Sequence, residues 1–131
     1  MTNGKRPSGV TVYIVDDDES VRLGFARLIR SAGYDARVFD SPECFLDDVV
    51  DAPFTCILLD ISMPRLTGTL VQERLNARNI AIPVITVSAT DDERTREHAR
   101  TLGARLFLRK PVDDQALLDA ISWVTNSPFG S

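Results

Sequence analysis

Apolar residues along this chain gather into five short, dense runs, separated by stretches with a wider, helix-like spacing. The first run, Val10–Val15, is β-branched and aromatic and stops abruptly at Asp16-Asp17-Asp18, the pattern of a buried strand. Val21, Phe25, Leu28, Ile29 and Ala32 then recur at the spacing of one helical face. They predict an amphipathic helix begun near Asp18-Glu19 and stopped at Gly33. Ala36–Phe39 reads as a second strand. Ser41-Pro42-Glu43 follows with a capping hydroxyl, a proline at the first helical position and an early acid, and Phe45, Leu46 and Val49 supply that helix's inner face. Cys56–Leu59 is apolar at every position, as a central parallel strand covered on both faces requires, and it too ends at an acid, Asp60.

A loop with Pro64 and Gly68 leads to a helix over Thr69–Ala77, with Val71 and Leu75 inward. Pro83–Val87 is a fourth strand, ending at Ser88. Asp91–Leu102 predicts a helix with few apolar anchors, chiefly Ala99 and Leu102. Leu106–Leu108 is a fifth strand, closed by Arg109-Lys110-Pro111, and Asp113–Thr125 a last helix offering Ala116, Leu117, Ile121 and Val124 to a core. Five strands alternating with five helices imply a parallel α/β sheet with helices on both faces, because parallel strands need crossover connections.

A length of 131 residues suits one domain, and 44% hydrophobic against 26% charged residues excludes a disordered chain. Such a domain buries about two thirds of its unfolded surface, enough for a core without staples. Fifteen basic residues against nineteen acidic ones give a net charge of −4, which disfavours nonspecific nucleic-acid or acidic-membrane binding. No apolar run approaches the length of a membrane span, and the opening MTNGKRPSGV lacks a secretory signal's apolar stretch. Cys44 and Cys56 fit no metal pattern and read as small buried hydrophobes of a reducing, cytoplasmic setting. Residues 1–9 and 126–131 read as loose ends around one unit.

Ligands of open parallel sheets sit outside the carboxyl ends of the strands. That rule gathers Asp16 and Asp17 from the first strand, Asp60 from the third, Ser88 from the fourth and Lys110 from the fifth. Three carboxylates in one place repel unless a cation intervenes, and carboxylate, carbonyl and water oxygens are the ligand set of a hard ion such as Mg²⁺. With Mg²⁺ and the Lys110 ammonium the charges sum to zero, and such a pocket stabilises the oxygens of a transferring phosphoryl group. The single histidine, His98, falls on the polar fourth helix and reads as solvated.

Four motifs in order, IVDDD at 14–18, ILLDISMP at 57–64 with Gly68, TVSAT at 86–90 and FLRKP at 107–111, resemble the receiver domain of two-component response regulators. The resemblance covers residues 10–125 and implies a flavodoxin-like three-layer sandwich, its five-stranded parallel sheet in the order 2-1-3-4-5. It implies that Asp60 accepts a phosphoryl group from the phosphohistidine of a sensor histidine kinase or phosphotransfer protein. Asp17, Asp60 and the backbone carbonyl of Ser62 would ligate Mg²⁺ or Mn²⁺, with Asp16 acting through water. Lys110, Ser88 and Ala89 would meet the phosphoryl group, and Phe107 matches an aromatic position that turns inward. The resemblance further implies a cis Lys110-Pro111 bond, an output face made of the fourth helix, fifth strand and fifth helix that also serves a homodimer, and a signalling domain rather than an enzyme. Ser88 stands where threonine is also common, and Val112 where an aromatic is frequent.

Other readings remain open at individual positions. Asp16 to Asp18 alone would pass for a helix cap, Asp60 for a solvated loop acid, Ser88 for a turn residue and Lys110 for a surface ion pair. An aspartyl-phosphate hydrolase of the haloacid dehalogenase type would also use a strand-end nucleophile, but Asp60-Ile61-Ser62 lacks the second acid such enzymes carry. A flavodoxin-like cofactor binder would want a glycine- or hydroxyl-rich first loop, and this one is acidic.

Overall fold

The computed structural model of the chain describes residues 9–62, 68–90 and 92–126. The elements are β1 (Thr11–Val15), α1 (Glu19–Ser31), β2 (Asp35–Phe39), α2 (Pro42–Asp48) and β3 (Thr55–Asp60), then α3 (Gly68–Ala77), β4 (Val84–Ser88), α4 (Glu93–Thr101), β5 (Ala104–Arg109) and α5 (Asp114–Thr125). Every strand pairing is parallel, and the sheet runs β2-β1-β3-β4-β5, the order the resemblance implied.

Alternation along the central strands divides the core in two. Val12 and Ile14 of β1 and Cys56 and Leu58 of β3 face one side, where Ala26 and Ile29 of α1 and Leu117, Ile121 and Val124 of α5 cover them. Tyr13, Val15, Ile57 and Leu59 face the other, against Phe45 and Leu46 of α2, Val71 and Leu75 of α3 and Ala99 of α4. Because β3 is buried at all six positions, it can tolerate no polar side chain that lacks a partner, which bears directly on Asp60 at its end.

Helix starts follow the side chains expected of them. Asp18 accepts from the Val21 amide, Ser41 from Cys44 with Pro42 at the first turn, and Asp113 from Ala116. Each such cap contributes about 1 kcal/mol.

Several local expectations are corrected. On α1 the stripe includes Ala26, one turn before Ile29, whereas Ala32 is the C-cap, where the helix has ended and the side chain is exposed. Ala116 lies in the first turn of α5 on its solvent side, and Ala120 takes the inward place. Cys44 is exposed on α2, because its neighbours Phe45 and Leu46 occupy the buried arc; Cys56 is buried as expected. Helix α4 begins at Glu93 behind its Asp92 cap, not at Asp91, which lies outside the described residues, as does Pro64.

Gly68 opens α3 directly against the end of β3. A β-carbon there would stand 2.5 Å from Ile61 Cα and 2.8 Å from the Asp60 carbonyl oxygen, so only glycine lets the helix start this close. Gly68→Ala is therefore expected to lower stability by about 1–3 kcal/mol, read as a shift of the urea midpoint at unchanged slope.

Candidate functional site

The order β2-β1-β3 places the chain's reversal between β1 and β3: β2 lies on one side of β1 and everything later on the other. Connections leaving those two strands diverge, and the crevice between them is where this class of sheet binds ligands. Asp16 follows β1 directly, Asp60 is the last residue of β3, Ser88 the last of β4, and Lys110 follows β5. Register keeps the ends level, with Val15 opposite Leu59 and Asp60 opposite Val87.

Oxygens of Asp16, Asp17 and Asp60 lie within 4.8 Å of one another. Asp16 is 1% exposed and Asp60 4%, while Asp17 faces solvent. Lys110 Nζ reaches between the buried pair, 3.1 Å from Asp16 Oδ2 and 3.4 Å from Asp60 Oδ2. Asp60 Oδ1 accepts from the Ser62 amide at 2.9 Å and from the Ser62 hydroxyl at 3.1 Å. The Asp18 amide donates to Asp16 Oδ1, and Arg22 of α1 ties down the Asp16 carbonyl oxygen at 2.9 Å.

Burial pushes the Asp16 carboxyl above the usual carboxylate range; the neighbouring charge of Asp60 adds to this, and the Asp18 amide and Lys110 oppose it. Burial works against the Lys110 ammonium, but the charges of Asp60 and Asp16 outweigh it and hold its pKa above the ordinary lysine value. Three carboxylates against one ammonium leave an excess of negative charge at one spot. Among the described residues Asp16 Oδ2 is met by Lys110 alone, so a buried carboxylate oxygen keeps a lone pair for a cation to use. The oxygen-only donor set fits a hard divalent ion that keeps part of its water shell.

Three further expected residues, Ser88, Ala89 and Phe107, lie at the end of β4, just after it and on β5. Ser88 is buried at the end of β4, and its hydroxyl pairs with the Thr90 hydroxyl at 3.2 Å while accepting from the Thr90 amide. The Ala89 amide donates to the Ser62 hydroxyl at 3.3 Å, so one hydroxyl bridges Asp60 to the segment after β4. Phe107 is half-buried on β5, with the Arg96 guanidinium 5.4 Å from its ring centre. The Lys110-Pro111 bond is cis, as the resemblance implied. Sequence reasoning missed the hydroxyls of Ser62 and Thr90, and the Arg22 contact. A serine two residues after an aspartate is a recognisable turn signal, whereas nothing in the spacing marks Arg22.

Residues 12–122 match the model of the response regulator receiver domain, and the chain belongs to that family. It is similar to the transcriptional regulatory protein TdiR of Thauera aromatica, 36% identical over 93% of this chain and 54% of that protein. A FixJ of Azorhizobium caulinodans is likewise 36% identical, over 88% of this chain and 54% of its own length. Among solved structures, the response regulator StyR superposes with a TM-score of 0.84 at 39% identity, covering 92% of this chain and 61% of that one. The chain thus spans about half the length of the curated relatives it matches. Membership makes this a phosphorylation-dependent signalling domain of a family that binds Mg²⁺ at an acidic pocket. Among the described residues no helix is long and apolar enough to cross a membrane.

Removing the ammonium leaves two buried carboxylates facing each other. Lys110→Met is expected to lower stability by about 3 kcal/mol in metal-free buffer, with added Mg²⁺ recovering part of the loss, as urea titrations with and without the ion would measure.

Proposed function

We propose that Asp60 accepts a phosphoryl group from the phosphohistidine of a sensor histidine kinase or phosphotransfer protein, and that the added charge alters protein contacts made by α4, β5 and α5. The observation that carries this reading is the meeting of Asp16, Asp17 and Asp60 around Lys110. An Asp60 carboxylate oxygen attacks phosphorus, the new P–O bond forms as the N–P bond breaks, and the leaving imidazole takes up a proton. Lys110, already in contact with Asp60 Oδ2, follows the charge onto the acyl phosphate. Asp17, Asp60 and the Ser62 carbonyl would hold Mg²⁺ (or Mn²⁺), with Asp16 acting through water. The chemistry that ion supplies when bound is neutralisation of charge on the transferring oxygens.

Phosphorylation adds a charge of about −1.5 to −2 if it titrates like other phosphates. The Ser88 hydroxyl and the Ala89 amide are the donors placed to answer it, which costs them their present bonds to Thr90 and Ser62. A shift of Ser88 frees space for Phe107 to turn inward. On this reading the domain catalyses its own phosphorylation and dephosphorylation, turns over no external metabolite and works in the cytoplasm beside its kinase. Residues 10–125 form the receiver unit, which makes no direct nucleic-acid contact, and the α4, β5 and α5 surface also serves a homodimer.

Treatment with a small acyl phosphate and Mg²⁺, followed by intact-mass spectrometry, tests the chemistry. The wild-type chain is expected to gain one phosphoryl group, lost without Mg²⁺ and in Asp17→Asn, and absent altogether in Asp60→Asn. Ser88→Ala is expected to be phosphorylated normally but to show none of the amide-exchange change at residues 88–110 that wild type shows. Turnover of a phosphomonoester would instead support the hydrolase reading.

A further inference from the structure

Helix α4 has the sequence ERTREHART, and Ala99 is its one buried residue. A helix this polar has little to hold it by packing alone. At its C-terminal end the His98 and Arg100 carbonyls accept from the amides of Leu102 and Gly103, and two further carbonyls are met by side chains of α3. Gln72 Nε2 donates to the Ala99 carbonyl oxygen and Asn76 Nδ2 to that of Leu102, both at 3.0 Å. Gln72 and Asn76 are four residues apart, on one face of α3, so the two amides grip successive points at the same end of α4. The first of these bonds is fully enclosed, with Gln72 only 1% exposed. Gln72 Oε1 is buried there without a hydrogen-bond partner among the described residues. That cost is offset only while the Nε2 bond to Ala99 is kept.

The opposite end of α4 is held differently. Asp92, Glu93 and Arg94 are exposed, and the Asp92 carboxylate caps the helix through its own Arg94 amide and the Thr95 hydroxyl, contacts internal to the element. It is also the end joined to Ser88, Ala89 and Thr90, whose bonds the phosphoryl group would compete for.

We infer that Gln72 and Asn76 form an amide hinge: α4 pivots about its C-terminal turn, clamped to α3, while its N-terminal turn swings with the segment after β4. The inference rests on Asp60 being the phosphoacceptor, and assigns to two residues outside the acidic site the task of turning a change at Ser88 into a rotation of α4 rather than its release.

Paired spin labels measure this directly. Cys44 is exposed on α2 and serves as the reference, while Cys56 is fully buried, its thiol pushed up to about 12, and stays unlabelled in the folded protein. The second label goes at Glu93→Cys or at Thr101→Cys, both exposed. On treatment with an acyl phosphate and Mg²⁺, the 44–93 distance is expected to shift by more than the width of its resting distribution, and the 44–101 distance to stay within it. In Gln72→Met, which keeps the volume and removes the donor, and in Asn76→Ala, at an exposed position that does not threaten folding, the 44–101 distance is expected to shift or broaden as well. Equal movement of both labels in the unaltered hinge, or a 101 label that stays fixed in both variants, overturns the inference. A chain that gains one phosphoryl group while neither label moves overturns the hinge and leaves the phosphoacceptor reading standing; a chain that gains none overturns both.

Discussion

Two carboxylates buried almost completely, Asp16 and Asp60, share a single ammonium, and the rest of this molecule is arranged to make that tolerable. Burying charge is costly unless it is paired and hydrogen-bonded. Here the pairing comes from Lys110 after β5, two strands along the sheet from β3 and three from β1, and the hydrogen bonds come from the backbone turns after β1 and β3. Negative charge still exceeds positive. On the proposed reading, that residual imbalance is what suits the site to a hard cation and, with it, to a phosphoryl group, rather than to an inert ion pair.

The fold's contribution is to keep that imbalance fixed in place. Two apolar layers, one behind α1 and α5 and one behind α2, α3 and α4, clamp β1 and β3 so that their ends stay level. Gly68 lets α3 begin directly against Asp60 and Ile61 at the end of β3. Above that floor, Ser62, Ser88, Ala89 and Thr90 are joined to one another and to Asp60 by hydroxyl hydrogen bonds. The helix after them has a single buried side chain, so a local exchange of hydrogen bonds can be expressed as movement of a whole element.

Much of this was legible along the chain. Strand β3 announces itself because all of Cys56–Leu59 is apolar, and the acids at the ends of β1 and β3 stand out because a polar residue is out of place just there. Spacing was less informative on the helices. The α1 stripe gave Ile29 correctly but credited Ala32, since nothing in periodicity says that the helix has already ended; α5 gave Leu117 and missed Ala120 for want of knowing which arc the sheet covers. Residue type alone makes Cys44 a buried hydrophobe, whereas its exposure depends on the arc of α2 it falls on.

Sequence by itself determined the element order, the parallel class of the sheet, and which acids, hydroxyl and amine stand at the carboxyl ends of the strands, because alternation, capping and strand-end polarity are local properties. Tertiary structure alone decided that Asp16 is buried while Asp17 meets solvent, that the Ser62 hydroxyl joins Asp60 to Ala89, that Arg22 braces the Asp16 carbonyl, and that two α3 amides hold the end of α4. Apart from the Ser62–Asp60 bond, two positions apart, those are contacts between residues six to twenty-seven positions apart, or differences between neighbours. Both follow from how the layers pack, and no period along one strand or helix encodes it.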